Sequence, residues 1–127
     1  MGETLKKRPQ ELTKAELEIM QVIWQKEKVL VHDVLAELPD PKPAYNTVST
    51  IVRILENKGF VSHKAYGRTY EYFPVVAKEE YTNAYMRTVL DNFFDGSVSR
   101  LVNFFSAQKS ISLEETDEIL KILNGDK

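Results

Sequence analysis

The chain has 127 residues, of which 43% are hydrophobic and 28% charged, and its formal net charge is −2, the composition of an ordinary globular protein. It contains no cysteine, and its two histidines, His32 and His63, lack the spacing of a metal-ligand pair, so we expect neither an enzyme nor a small-molecule cofactor. Because no apolar run is long enough to span a membrane and the N-terminus lacks a secretory signal, we expect a cytoplasmic protein.

The start of the first helix is predicted by Thr13 and Glu16, which have the spacing of a capping box. Apolar side chains then recur at helical intervals, at Leu17, Met20, Ile23 and Trp24. A polar break at 26–28 precedes a second, shorter helix over 31–38. Three prolines within 39–43 cannot continue that helix, so this segment is a connector.

A third helix is predicted over 44–58, ending at Gly59. Its apolar positions are Val48, Ile51, Val52 and Leu55. Its opposite face carries Tyr45, Asn46, Ser49, Thr50, Arg53 and Asn57. Short polar side chains allow a helix to approach base edges in the DNA major groove, whereas a merely solvated face usually has the better helix formers Glu, Lys and Gln. The pattern therefore favours groove reading over the alternative of simple solvation.

Two β-prone segments follow, at 60–64 and 68–73, and predict a hairpin that turns through Ala65-Tyr66-Gly67. Lys64 and Arg68 flank the turn, where they can touch DNA phosphates or enter a minor groove. The alternative is an ordinary solvated turn. Residues 42–73 hold five basic side chains against two acidic ones, a balance of +3, although the whole chain is acidic.

The rest of the chain predicts three helices, over 77–94, from Ser97, and from a second capping box at Ser112 and Glu115. These helices are too rich in aromatic and aliphatic side chains to bury them all within about fifty residues, so we expect a two-fold interface with a second copy. The competing interpretation folds them back on the first half. The predicted dimerisation residues are Tyr81, Tyr85, Val89, Phe93, Leu101, Val102, Phe105, Ile119, Leu120 and Leu123.

Together these elements predict a mainly α fold with a small β-hairpin. An N-terminal winged helix-turn-helix domain spans 1–75, and a C-terminal helical dimerisation region spans 76–127. The predicted partner is double-stranded DNA, contacted by Lys42, Tyr45, Asn46, Thr47, Ser49, Thr50, Arg53, Lys64 and Arg68. Whether Arg53 contacts a base or a phosphate stays open. The alternative function is a winged-helix module that binds a protein instead of DNA.

Three segments resemble the BlaI/MecI/CopY family of repressors. The first is 12–20 with Ile23-Trp24, the second is 45–50 with Leu55 and Lys58-Gly59, and the third is Gly67-Arg68 with 70–74. The resemblance extends over 12–123. It implies a homodimeric repressor that binds a short dyad operator, typically of the TACA/TGTA type.

The resemblance also implies a mode of induction. In the β-lactam branch of that family, a membrane-bound sensor metalloprotease signals, and the repressor is cleaved at an Asn-Phe bond in its dimerisation region. Asn103-Phe104 stands at the matching place here. The copper-sensing branch uses a C-terminal cysteine cluster, which this chain lacks. Asn46 replaces a lysine that is frequent in the family, which leaves the base preference at that position open.

Overall fold

A computed structural model describes residues 11–108 and 112–123, except for the side chain of Leu123. The predicted mainly α fold with one hairpin is confirmed. The elements are α1 (Lys14–Lys26), α2 (Val31–Glu37), α3 (Tyr45–Asn57), β1 (Val61–Tyr66), β2 (Thr69–Pro74), α4 (Lys78–Phe93), α5 (Val98–Ala107) and α6 (Leu113–Leu123). None of the helices described is long and apolar enough to cross a membrane.

Both predicted capping boxes are present. The backbone N–H of Glu16 donates to Thr13 Oγ1 at 3.1 Å, and the N–H of Thr13 donates to Glu16 Oε1 at 2.9 Å. Ser112 and Glu115 form the same reciprocal pair at the start of α6, with both distances 3.1 Å. These side chains satisfy backbone donors that have no partner within the helix, which is why α1 and α6 begin where the sequence predicts.

The hairpin is longer, and its turn tighter, than the sequence analysis expected. Tyr66 pairs with Thr69, so Gly67 and Arg68 alone form the turn and Ala65 belongs to β1. Gly67 has φ +64° and Arg68 has a negative φ, as in a two-residue turn with glycine first. The turn thus places Arg68 at the tip of the hairpin, which is called the wing below.

The segment between α1 and α2 adds a third, minimal strand to the wing. Val29 N–H donates to Tyr72 O at 2.9 Å, and Tyr72 N–H donates to Val29 O at 2.7 Å. The sequence analysis treated the residues just before Val29 only as a polar break. This pairing, together with the buried side chains of Val29 and Tyr72, fixes the wing against the helices.

The chain divides into two compact units, residues 1–81 and 82–127. The first unit has a continuous core in which Met20 and Ile23 of α1, Val34 of α2 and Leu55 of α3 are fully buried. The predicted apolar faces of the first three helices are therefore the faces that pack together. The sequence-based boundary at 75/76, as a division between independently folding domains, stays a prediction.

The prediction for Tyr81, which placed this residue at a dimer interface, needs a correction. Tyr81 is only 8% exposed and belongs to the core of the first unit. Its hydroxyl accepts a 2.9 Å hydrogen bond from the backbone N–H of Leu12, and its ring lies 5.7 Å from that of Phe60 and 6.0 Å from that of Trp24. The first turn of α4 thus completes the N-terminal core.

In the second unit, Leu90, Leu101 and Val102 are buried, whereas most other apolar side chains stay partly or largely exposed. An apolar cavity of about 220 Å³ lies beside Met86 of α4, Val102 and Phe105 of α5, and Ile119 and Ile122 of α6. All its exposed lining atoms are apolar. This cavity is called the apolar cavity below.

Candidate nucleic-acid interface

Helix α3 presents a polar face because its apolar face is completely used in the core. Val48, Val52 and Leu55 are each 0% exposed, which orients the opposite side of the helix outward. Asn46, Thr50 and Asn57 lie on that outer side and are exposed. These three side chains are short and polar, as a helix entering the major groove requires, and Ile54, 39% exposed, lies on the same side of the helix.

A groove separates α3 from the wing and has a volume of about 300 Å³. Helix α3 contributes Tyr45, Ser49 and Arg53 to it, and the wing contributes Arg68, Thr69 and Tyr70. Four of these six residues, namely Tyr45, Ser49, Arg53 and Arg68, were predicted as DNA contacts from sequence. The structure therefore brings Arg53 of α3 and Arg68 of the wing tip to one concave surface, called the wing groove below.

Among the residues that line the wing groove, the sequence analysis did not predict His32, Thr69 and Tyr70, nor the less exposed Leu30, Val31 and Tyr72. His32, at the start of α2, lies with its ring 4.5 Å from the ring of Tyr45. Thr69 and Tyr70 line the groove from β2. No pattern in the sequence places the start of α2 beside α3, although the position of Thr69 and Tyr70 next to Arg68 is a local signal that could have found them.

Five predicted DNA contacts do not line the wing groove: Asn46 and Thr50 on the outer side of α3, and Lys42, Thr47 and Lys64. Lys42 Nζ donates to the carbonyl oxygens of Leu35, Ala36 and Leu38, at 3.3, 3.1 and 2.6 Å. Its charge therefore caps the C-terminal end of α2 and is engaged in the fold itself. Lys64 lies 5.5 Å above the ring of Tyr66 on the wing. Thr47 lines a separate surface depression with the proline connector.

A hydrogen bond joins the end of α3 to the wing. His63 Nδ1 lies 2.8 Å from Glu56 Oε2, and the His63 ring stacks on that of Tyr70 at 4.1 Å and 13°. Burial raises the pKa of the neighbouring Tyr72, and the carboxylate of Glu56 adds to this shift. Tyr72 is thus a neutral hydroxyl side chain. The carboxylate–imidazole contact links the wing to α3, and the aromatic stack packs the two strands of the wing together beside it.

The C-terminal end of α3 is tied to the start of α1 by an ion pair. Lys58 Nζ lies 2.9 Å from both carboxylate oxygens of Glu16, whose side chain is only 8% exposed. Burial raises the pKa of Glu16, but hydrogen bonds from Thr13 and the hydrogen bond and charge of Lys58 outweigh it, so the pKa is lowered overall. The Glu16 carboxylate therefore caps α1 and also positions α3.

Glu16→Gln is expected to lower the free energy of unfolding at neutral pH by about 1–2 kcal/mol, because glutamine keeps the cap acceptor but loses the charge opposite Lys58. Since folding lowers the pKa of Glu16, its contribution is complete above the ordinary carboxyl pKa and is lost as the pH falls through the lowered value. Denaturant titrations of both proteins across the acid range test this. A stability difference that persists unchanged at a pH where the Glu16 carboxyl is protonated in both the folded and the unfolded state would contradict this expectation.

Three packed helices followed by a two-stranded wing, with a polar helix facing outward, define a winged helix-turn-helix protein. The family model described as "Penicillinase repressor" matches residues 12–125. The chain belongs to this family of transcriptional repressors, as the sequence resemblance predicted.

Individual relatives agree with the family assignment. The penicillinase repressor of Bacillus licheniformis is 31% identical over 124 residues, covering 97% of this chain and 96% of the relative. The methicillin resistance regulatory protein MecI of Staphylococcus aureus is 25% identical over 115 residues, covering 90% and 94%. The solution structure of the DNA-binding domain of the repressor BlaI superposes with a TM-score of 0.51 at 33% identity, covering 59% of this chain and 92% of that domain.

Proposed function

We propose that this protein is a cytoplasmic, sequence-specific DNA-binding repressor that acts as a homodimer on a short dyad operator. The observation that carries the proposal is the exposed polar face of α3 beside a groove holding Arg53 and Arg68. The face supplies short donors and acceptors for base edges, and the arginines supply charge for the backbone. The relatives named as a penicillinase repressor and a methicillin resistance regulatory protein support the same function.

The test is selection of bound duplexes from random DNA by the purified protein at near-physiological salt, followed by titration of the enriched duplex. We expect one dyad sequence to be enriched and two chains to bind each duplex. Binding that ignores sequence would contradict the repressor function. It would favour instead a winged-helix module for a protein partner.

The dimer is supported by the apolar surface of the second unit. Phe93 is 75% exposed, Ile122 59% and Tyr85 41%, while Phe105, Ile119 and Leu120 are half-buried. So many exposed apolar side chains on about forty residues are typical of a surface that pairs with a second copy. Leu123, also predicted for this interface, has a side chain outside the described residues. Two linked winged helices gain affinity because the second half-site binds intramolecularly.

We also propose that induction proceeds through cleavage of the Asn103-Phe104 bond by a membrane-bound sensor metalloprotease. Asn103 is exposed and Phe104 is 47% exposed, so both side chains are accessible on α5. The bond lies within a helix that also carries the buried Leu101 and Val102. Cleavage there would divide the segment that supplies the apolar surface, weaken the dimer and release the operator.

Asn103→Ala is expected to abolish inducer-dependent cleavage while operator affinity stays within about twofold, because the side chain is exposed and lies far along the chain from α3. Immunoblots of cells that contain the sensor protease, before and after inducer, would show fragments 1–103 and 104–127 for the unmodified protein and not for Asn103→Ala. Ser106→Ala, an exposed change on the same helix, is the control and should be cleaved normally. Unimpaired cleavage of Asn103→Ala at the same bond would contradict the assignment.

A further inference from the structure

We infer that the wing groove binds a phosphate of the DNA backbone, so that Arg53 and Arg68 contact one backbone segment and Arg53 does not read a base. This inference rests on the proposed DNA-binding function and says which residues contact the DNA backbone and which contact the bases. It adds His32 and Tyr70 to the interface and leaves base reading to the outer side of α3.

The first argument is the position of Arg53 on α3. Tyr45, Ser49 and Arg53 follow one another at four-residue intervals and all line the wing groove. Asn46 and Thr50 form the next row, which lies farther from the wing and is exposed. When the outer row faces the bases, the row beside the wing faces the rim of the major groove, where the phosphates lie.

The second argument is charge. The wing groove is lined by two arginines and by no acidic side chain. Within the described ranges, 11–108 and 112–123, neither Arg53 nor Arg68 pairs with a carboxylate. Two guanidinium groups converging on a concave surface without an acid partner favour a shared anion, and a phosphodiester accepts the bidentate geometry of arginine.

The third argument is that each acid near the wing groove is engaged elsewhere. Glu56 Oε2 lies 2.8 Å from His63, and Asp33 Oδ2 accepts the backbone N–H of Leu30 at 2.9 Å. Glu71 stands opposite Lys64 in the strand register, and by strand alternation it lies on the face of the wing opposite Tyr70 and Tyr72. The Glu56 carboxylate acts on Tyr72 of the groove lining but is held by His63, so the two arginines supply the positive charge of the lining itself.

Several of the remaining lining residues supply hydrogen-bonding side chains. Tyr45, Ser49, Thr69 and Tyr70 each carry a hydroxyl, and His32 adds a ring nitrogen. Hydroxyl and imidazole donors alongside arginine are the usual partners of backbone phosphate oxygens. Because the wing is held to α3 through the Glu56–His63–Tyr70 contacts, these donors are positioned before DNA arrives.

The experiment compares the wild type, Arg53→Ala and Asn46→Ala on the selected duplex, on all its single base-pair substitutions, and on a series with one methylphosphonate at each backbone position. For Arg53→Ala we expect about tenfold weaker binding to every duplex alike, and a salt-dependence slope smaller by about one phosphate contact. One methylphosphonate that weakens the wild type should no longer weaken this variant. Asn46→Ala, the matched control on the outer row, should lose preference at particular base pairs with an unchanged salt slope.

Loss of preference at one base pair in Arg53→Ala with an unchanged salt slope would overturn the inference, as would unaltered binding. Arg53 and Asn46 are both exposed, and thermal unfolding curves matching the wild type establish that the variants are folded. If the wild type selects no sequence, the proposed repressor function fails. The phosphate contact in the wing groove is then tested by the salt-dependence slope and the methylphosphonate series on an arbitrary duplex. Failure of the repressor function and failure of the phosphate contact are therefore distinguishable.

Discussion

Ile122→Glu is expected to convert the proposed dimer into a monomer and to weaken operator binding by about 10²–10⁴-fold, because the gain from linking two DNA-binding units is lost. Ile122 is 59% exposed yet lines the apolar cavity together with Phe105 and Ile119. A carboxylate introduced there cannot be desolvated by a second copy without a large penalty. Since the side chain is largely exposed in the single chain, the substitution leaves the fold of the protomer intact.

The measurements are sedimentation of the free protein and titration of the selected duplex. Lys121→Glu is the control, because it introduces the same carboxylate one residue away at an exposed position that does not line the apolar cavity. The control should remain dimeric. If Ile122→Glu is still dimeric at micromolar concentration and binds the duplex as tightly as the control, this face is not the dimer interface.

Tyr81→Ala is expected to lower the free energy of unfolding of the first unit by about 3–5 kcal/mol, the usual cost of deleting a buried aromatic ring. The ring packs near Trp24 and Phe60, and the hydroxyl accepts the backbone N–H of Leu12. Removing the side chain leaves a cavity and an unsatisfied buried donor. This loss of stability is larger than that caused by most single substitutions and is a large fraction of the free energy of unfolding of a typical domain.

Two further variants separate a core role of Tyr81 from the interface role predicted from sequence. Tyr81→Phe keeps the ring and should cost about 1–3 kcal/mol through the lost hydrogen bond. Tyr85→Ala, one turn later and 41% exposed, should affect stability less than Tyr81→Ala. Denaturant unfolding at several protein concentrations provides the values. If Tyr81→Ala retained full stability but failed to dimerise, Tyr81 would belong to the interface after all.

Local signals in the sequence predicted most of the fold. Thr13 with Glu16, and Ser112 with Glu115, predicted the starts of α1 and α6 because a capping box involves only four neighbouring residues. The periodic apolar side chains of α1 to α3 predicted which helix faces are buried, since helical geometry alone decides which residues share a face. The outward polar face of α3 followed from the same periodicity.

Local signals were insufficient where contacts between secondary-structure elements decide the outcome. Lys42 was predicted as a DNA contact, which stays a prediction, and only the structure shows that its ammonium group caps the carbonyl groups at the end of α2. The hairpin turn was placed too early because cross-strand pairing, which extends to Tyr66 and Thr69, is not visible in local composition. Tyr81 has the helical spacing of the apolar residues that follow it, and only the fold shows that it belongs to the N-terminal core.

By itself, the sequence determined the order of helices and strands, the buried and exposed sides of α3 and the family resemblance, because these depend on short-range periodicity, caps and motifs. The tertiary structure alone decided that Arg53 and Arg68 share one groove, that His32 and Tyr70 border it, and that Glu16 holds Lys58 across 42 positions of the chain. These residues meet because elements far apart in sequence pack together. Burial of apolar surface drives that packing, and this driving force is non-directional. The particular neighbours of a side chain are therefore set only when the whole core is assembled.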